Sequence, residues 1–139
     1  NQAPEIAKMQ GHSLRALFAG DEPSQWRDAV YYRYWMHLAH HHIPGHYGVR
    51  DGQYKLAFFY GLPLDASLGK GEFAPSTAGW ELYDLKADPK ETNNVYRDPK
   101  YAPVVNRLKT RLLELKEEYG DRDEGYPALM KVRKKHWRS

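Results

Sequence analysis

Four short stretches rich in aromatic and β-branched residues are separated by turn-forming residues, a pattern typical of β-strands. The first is Ala29–Trp35 and the second is Tyr47–Arg50. Asp51-Gly52 follows directly and is a strong signal for a two-residue hairpin turn, so Tyr54–Tyr60 is predicted to return antiparallel to the second stretch. With Trp80–Leu85 as the last stretch, the pattern predicts an antiparallel sheet of about four strands.

One longer segment, residues 101–119, has the spacing of an α-helix instead. Its apolar residues recur every three or four positions and form one stripe: Val104, Val105, Leu108, Leu112, Leu115 and Tyr119. Pro103 suits the first helical turn, and Gly120 suits the end of the helix. We therefore predict an α+β fold in which one long helix, residues 102–119, packs on one face of the sheet.

The remaining segments are predicted to be short helices and loops. Ser13 can cap a short helix that Gly20 ends, and another short helix is predicted near Ala128–Lys135. Residues 37–46 are rich in histidine and contain Pro and Gly, so they are predicted to be a loop. Residues 61–79, rich in Gly, Pro, Ala and Ser, are predicted to be a long exposed loop.

The net charge of +3 is concentrated near the C-terminal end of the 139-residue chain. Residues 131–138 contain five Lys or Arg and no acid; without those five, 16 basic residues stand against 18 acidic ones, a net of −2. We interpret the chain as one α+β domain, residues 1–120, followed by a solvated basic tail, residues 121–139, and predict no nucleic-acid partner. There is no run of 18 or more apolar residues, so no membrane partner is predicted.

Four segments, in order, resemble the last part of sulfatases of the alkaline-phosphatase-like superfamily. They are Met9–Leu14 (MQGHSL), Tyr31–Tyr34 (YYRY), the hairpin His46–Leu56 (HYGVR, then YKL) and Trp80–Asn94 (WELYDL, then DPKE and Asn). The last two are specific for this family when they occur in this order, and the resemblance covers roughly residues 9–115. The subgroup that looks most similar acts on N-acetylglucosamine 6-sulfate and related heparan or mucin sugars.

This resemblance implies a C-terminal domain, with a four-stranded antiparallel sheet and a helix, that partners a larger catalytic domain. It also implies that the catalytic domain holds a calcium ion and a formylglycine nucleophile made from a Cys or Ser in a C/S-x-P-x-R motif. This chain has no cysteine, and none of its serines has the Pro and Arg of that motif. We therefore expect a C-terminal fragment of a sulfuric ester hydrolase that is inactive alone, holds no cofactor, and associates with the catalytic domain or with itself.

The histidine-rich loop and the strand after it contain the candidate site residues. His40, His41 and His42 are consecutive, so their side chains do not converge on one ion, and no metal ligand is predicted. The resemblance places this loop at the rim of the active-site cleft, which makes His42 and His46 candidate substrate-binding residues. The other interpretation is that both are ordinary loop histidines.

Two further residues of the hairpin are candidates for binding a sulfated saccharide. Arg50 can pair with a sulfate or carboxylate through its guanidinium, or else hold a cross-strand or interdomain salt bridge. Tyr47 can stack on a sugar ring or pack into the sheet. No catalytic residue is predicted, because no nucleophile with an adjacent base is visible.

The family resemblance and the candidate residues leave two possible functions. The first is the C-terminal fragment of a glycan sulfatase, which by resemblance would be periplasmic, extracellular or lysosomal. The alternative is a free-standing, non-catalytic binding module for sulfated or acidic glycans that uses the basic tail and the histidine loop.

Overall fold

The computed structural model describes residues 10–21, 23, 26–64 and 74–138. Its strands are β1 (Ala29–Tyr34), β2 (His46–Asp51), β3 (Tyr54–Phe59) and β4 (Gly79–Asp84). Each strand pairs antiparallel with the next, so the sheet has four strands in the order β1-β2-β3-β4. The predicted strands and the hairpin at Asp51-Gly52 are confirmed to within one residue at each end.

Four α-helices accompany the sheet in the described part of the chain. They are α1 (Arg15–Phe18), α2 (Ala39–His42), α3 (Ala102–Glu118) and α4 (Pro127–His136). The long predicted helix is confirmed as α3, which ends before Gly120, a residue in the left-handed conformation with a φ of 67°. None of these helices is long and apolar enough to cross a membrane.

The helix α2 was not predicted, because residues 37–46 were expected to form a loop. Leu38, just before this helix, and His42, its last residue, are in the left-handed conformation, with φ of 55° and 54°. The N–H of Leu38 donates to the carbonyl of Ile43 at 2.9 Å, which closes this short turn on itself. Residues other than glycine rarely adopt this conformation, so sequence pattern alone does not indicate it.

The core lies between one face of the sheet and α3. The strand register places Val49 opposite Leu56, and Phe58 opposite both Tyr47 and Trp80. These side chains are buried against the apolar stripe of α3, whose buried members are Val105, Leu108, Leu112 and Leu115. The packing confirms that the long helix covers one face of the sheet.

The segment that follows α3 also packs into this core. Leu129 of α4 is fully buried, and the ring of Trp137 lies 5.0 Å from the ring of Trp80, measured between centroids. The indole N–H of Trp80 donates to the carbonyl of His136 at 2.9 Å. Residues 121–138 therefore supply core contacts in addition to the basic side chains expected of a tail.

Candidate functional site

The face of the sheet that points away from α3 carries two of the predicted substrate-binding residues. Because side chains alternate along a strand, His46, Gly48 and Arg50 of β2 lie on this face. We call this side of the sheet the outer face. Besides the three residues of β2, it includes these residues of the neighbouring strands: Val30, Tyr32, Tyr34, Lys55, Phe59, Glu81 and Tyr83. His46 and Arg50 are four residues apart on one strand, a span of about 13 Å.

His46 lies among aromatic rings at the beginning of β2. Its ring centroid is 4.6 Å from that of Phe59 and 5.4 Å from that of Tyr34. Its Nδ1 lies 2.8 Å from the carbonyl oxygen of Pro44, which can only accept, so Nδ1 carries the proton and donates. Burial lowers the pKa of His46 below its usual value. The neutral ring therefore presents Nε2 as a hydrogen-bond acceptor.

Arg50 is an exposed cation near the other end of β2. Its cross-strand neighbours are Val30 on β1 and Lys55 on β3, neither of which can neutralise it. Lys55 is itself paired with Glu91. No ion pair or hydrogen bond engages the Arg50 guanidinium within the described residues, so the predicted cross-strand salt bridge is not formed there, and the side chain can bind an external anion.

His42 is exposed at the last position of α2, outside the sheet. His37 belongs to the same histidine-rich segment but was not predicted to bind substrate; it is 2% exposed and anchors this region. Its Nδ1 accepts from the N–H of Gly45 at 3.0 Å, so its Nε2 carries the proton and donates to the carbonyl of Ala74 at 2.9 Å. The buried histidine thus fixes the segment that precedes His46.

Tyr47 is separated from His46 and Arg50 by the thickness of the sheet. Its side chain points toward α3 and is fully buried, and its hydroxyl donates to Asp123 at 3.2 Å. Of the two expectations for this residue, the structure shows packing into the sheet, and a ring without exposed surface is not available to stack on a sugar. Tyr47 is accordingly left out of the proposed substrate surface.

A buried charge network, which sequence reasoning missed, surrounds the Tyr47 hydroxyl. Asp123 is 1% exposed and accepts from Lys116 at 2.8 Å and from Arg133 at 2.9 Å. Arg33 bonds to Asp121 and lies 3.5 Å from Asp123. Three cations thus meet two carboxylates. The signal in the sequence was an arginine at an inward-pointing position of β1, which a sheet core accepts only when its charge is paired.

The carboxylate of Asp121 shows how this network affects proton binding. Burial alone would raise its pKa, but the hydrogen bond from Tyr31 and the charges of Lys116 and Arg33 outweigh burial and hold the pKa below its usual value. Burial, together with the bond to Asp121, raises the pKa of Tyr31, so that its hydroxyl stays protonated. Asp121 is therefore ionised near neutral pH, while the hydroxyl of Tyr31 donates to it.

The described residues include no group of three or more His, Asp or Glu side chains that could hold a metal ion. The acidic residues after β4 are engaged in turns and pairs instead. Asp88 accepts from the N–H of Asn93 at 2.8 Å, and Glu91 pairs with Lys55. These acidic residues after β4 therefore do not fit a calcium site of the kind expected in the catalytic domain.

Solved structures define the class of domain to which this sheet and helix belong. A protein solved in complex with its substrate D-glucosamine-2-N,6-O-disulfate superposes with a TM-score of 0.72 and 32% sequence identity, over 91% of this chain and 23% of that one. A 2-O glycosaminoglycan sulfatase shares the fold, with a TM-score of 0.60 and 23% identity over 85% of this chain and 22% of that one. The fold is thus that of a domain present in sulfatases.

Sequence comparison defines the family. Residues 2–118 match the family described as N-sulphoglucosamine sulphohydrolase, C-terminal, and the chain belongs to this family. It is 36% identical over 117 residues to an N-acetylglucosamine-6-O-sulfatase of Bacteroides thetaiotaomicron, a match that covers 83% of this chain and 18% of that protein. The resemblance seen in the hairpin and in Trp80–Asn94 is thereby confirmed, and the chain spans less than a quarter of the relatives it matches.

Proposed function

We propose that this chain is the C-terminal part of a sulfuric ester hydrolase acting on sulfated glycans, and that it supplies substrate contacts and structural support but not the nucleophile. The observation that carries the proposal is Arg50, an exposed guanidinium on the outer face of a sulfatase-family domain that forms no ion pair within the described residues. The proposal is supported by two relatives, one named for 6-O-sulfated N-acetylglucosamine and one solved with a disulfated glucosamine.

The chemistry of the outer face suits a sulfated sugar. The planar guanidinium of Arg50 can donate two parallel hydrogen bonds to sulfate oxygens. The neutral imidazole of His46 offers Nε2 as an acceptor for a sugar hydroxyl, since its Nδ1 is bonded to Pro44. His42, exposed on the preceding helix, is the third proposed contact. Arg50 would thus bind the anionic group, and the histidines would bind the sugar.

Exposed apolar side chains are a second argument for the proposal, because they indicate a partner domain. Five large hydrophobic residues are exposed among the described residues, and Phe18 is the most exposed at 85%; the others are Leu14, Leu17, Val30 and Ile43. Leu17 and Phe18 follow Leu14 by three and four positions at α1, so these three side chains share one helical face, and we propose that a sulfatase catalytic domain covers that face. In that domain, formylglycine would supply the nucleophile and calcium would offset the negative charge of the sulfate.

A chimeric enzyme tests this function. The region of the Bacteroides relative that matches this chain, 18% of its length, is replaced by this chain, and sulfate release from N-acetylglucosamine 6-sulfate is measured. We expect the chimera to release sulfate, and we expect neither this chain alone nor the relative truncated before the replaced region to do so.

The controls separate loss of function from loss of fold. Circular dichroism and a thermal unfolding scan show whether each protein is folded. A folded chimera that releases no sulfate would contradict the proposed sulfatase role. Sulfate release by this chain alone would contradict the proposal that the nucleophile lies elsewhere.

A further inference from the structure

A cleft of about 730 Å³ lies on the helix-covered side of the domain, away from the outer face. It is formed by α3, by the segment before it and by the end of the chain after α4. The residues that matter for its chemistry are Tyr96, Arg97, Asn106, Lys109, Trp137 and Arg138. Lys109 lies over the ring of Trp80. Trp80 pairs with Phe58 across the strands, so both side chains point toward α3. The sheet therefore separates this cleft from Arg50.

Lys109 is held in the cleft by aromatic rings instead of a carboxylate. Its Nζ is 4.5 Å from the ring centroid of Trp80, 5.2 Å from that of Tyr96 and 5.5 Å from that of Trp137. It donates to the hydroxyl of Tyr96 at 2.8 Å and to the carbonyl of Trp137. These bonds use two of the three N–H groups of the ammonium, and no acidic side chain pairs with it within the described residues.

The charge of the cleft is positive. Arg97 and Arg138 are exposed and flank Lys109, and neither forms an ion pair within the part of the chain that the structure describes. None of the residues that line the cleft is acidic. Partial burial among the rings lowers the pKa of Lys109 to about 8, and no carboxylate within the described residues offsets the charge of its ammonium. An anionic ligand would supply a counter-ion.

The other lining groups indicate which anion fits. The volume exceeds that of a lone sulfate or phosphate ion and suits a ligand of more than one ring. Trp137 offers an aromatic surface for a sugar ring, and Asn106 and Thr110 offer an amide and a hydroxyl for sugar hydroxyls. We propose that this cleft binds a polyanionic saccharide through Arg97, Lys109 and Arg138, at a site distinct from Arg50. The inference does not depend on the proposed sulfatase function, because the chain alone would bind.

The test uses the ¹⁵N-labelled chain at 0.1 M salt with a heparin-derived hexasaccharide as the probe. Amide shifts locate binding, and calorimetry measures the affinity. We expect shifts in residues 96–110 and 137–138. We expect the double variant R97A/R138A to bind at least about tenfold more weakly, because each charged hydrogen bond lost has an effect of this order. The pKa of Lys109, followed by its side-chain signals, should rise when the saccharide is bound.

Two controls decide whether the binding is specific. K131A/K135A removes the same charge from exposed positions of α4 outside the cleft, and should change the affinity less than about twofold. The hexasaccharide with its sulfates removed, and a single-stranded oligonucleotide of equal charge, should bind more weakly than the sulfated sugar. Equal loss in both double variants, equal binding of the oligonucleotide, an unchanged Lys109 pKa, or no binding would overturn the proposal. Shifts confined to the strand of Arg50 would overturn it while leaving the proposed sulfatase function intact.

Discussion

Gly48 is the residue on the outer face with the least space for a side chain. A Cβ at this position would lie 2.5 Å from the carbonyl oxygen of Leu56 and 2.5 Å from the hydroxyl oxygen of Tyr32. That hydroxyl is buried and has no hydrogen-bond partner within the described residues. The ring of Tyr32 in turn lies 5.9 Å from that of His46, so the glycine sets the packing beside a proposed substrate contact.

We expect Gly48→Ala to destabilise the domain by about 1–3 kcal/mol, because the backbone of β3 or the ring of Tyr32 must move. The measurement is the free energy of unfolding in urea. Gly52→Ala is the matched control, since a Cβ at Gly52 meets nothing within 4 Å, and its effect should stay within about 0.5 kcal/mol. Equal effects of the two substitutions would show that the close approach at Gly48 does not affect the free energy of unfolding.

At the scale of elements, one buried carboxylate connects much of the fold. Asp123 accepts from Tyr47 on β2, Lys116 on α3 and Arg133 on α4, and it also lies near Arg33 on β1. Its burial means that these cations depend on it for neutralisation in a medium that solvates charge poorly. The network therefore fixes how the C-terminal helix lies against the sheet.

Asp123→Asn should lower the free energy of unfolding by about 3–5 kcal/mol, because it leaves the buried Lys116 with Asp121 as its one carboxylate partner among the described residues and leaves the half-buried Arg133 with none. Urea unfolding at pH 7 measures the effect. Glu118→Gln removes the same charge from an exposed position of α3 and should change stability by less than about 0.5 kcal/mol. A small effect of Asp123→Asn, similar to that of the control, would mean that the network does not hold the elements together.

The elements that sequence reasoning predicted well are those with a local signal. The strands and α3 follow from hydrophobic spacing, and the hairpin follows from Asp51-Gly52, because these patterns act within a few residues. The Arg33–Asp123 contact joins residues 90 positions apart, so no local pattern indicates it. Strand alternation shows that Tyr47 and His46 point to opposite faces, but it does not show which face the helix covers. The sequence therefore could not decide whether Tyr47 is buried.

At the scale of the whole molecule, the two sides of the sheet have different roles. The side toward α3 holds the core and the buried network, while the outer face presents Arg50 and His46. Periodicity in the sequence predicted that one face would be covered, which the structure confirms, and the resemblance placed candidate binding residues on the hairpin, which stays a prediction. Which face each residue occupies required the register of the strands.

The central claim is that the outer face forms part of a sulfatase substrate cleft, and the KM of the chimeric enzyme tests it most directly. In the chimera, Arg50→Ala should raise the KM for N-acetylglucosamine 6-sulfate by about tenfold or more, with a smaller change in kcat, because a charged contact to the bound sulfate group is lost. Arg122→Ala removes an exposed arginine that is paired only with exposed Glu117 within the described residues, and it should leave KM unchanged. A KM for Arg50→Ala equal to that for Arg122→Ala would contradict the account.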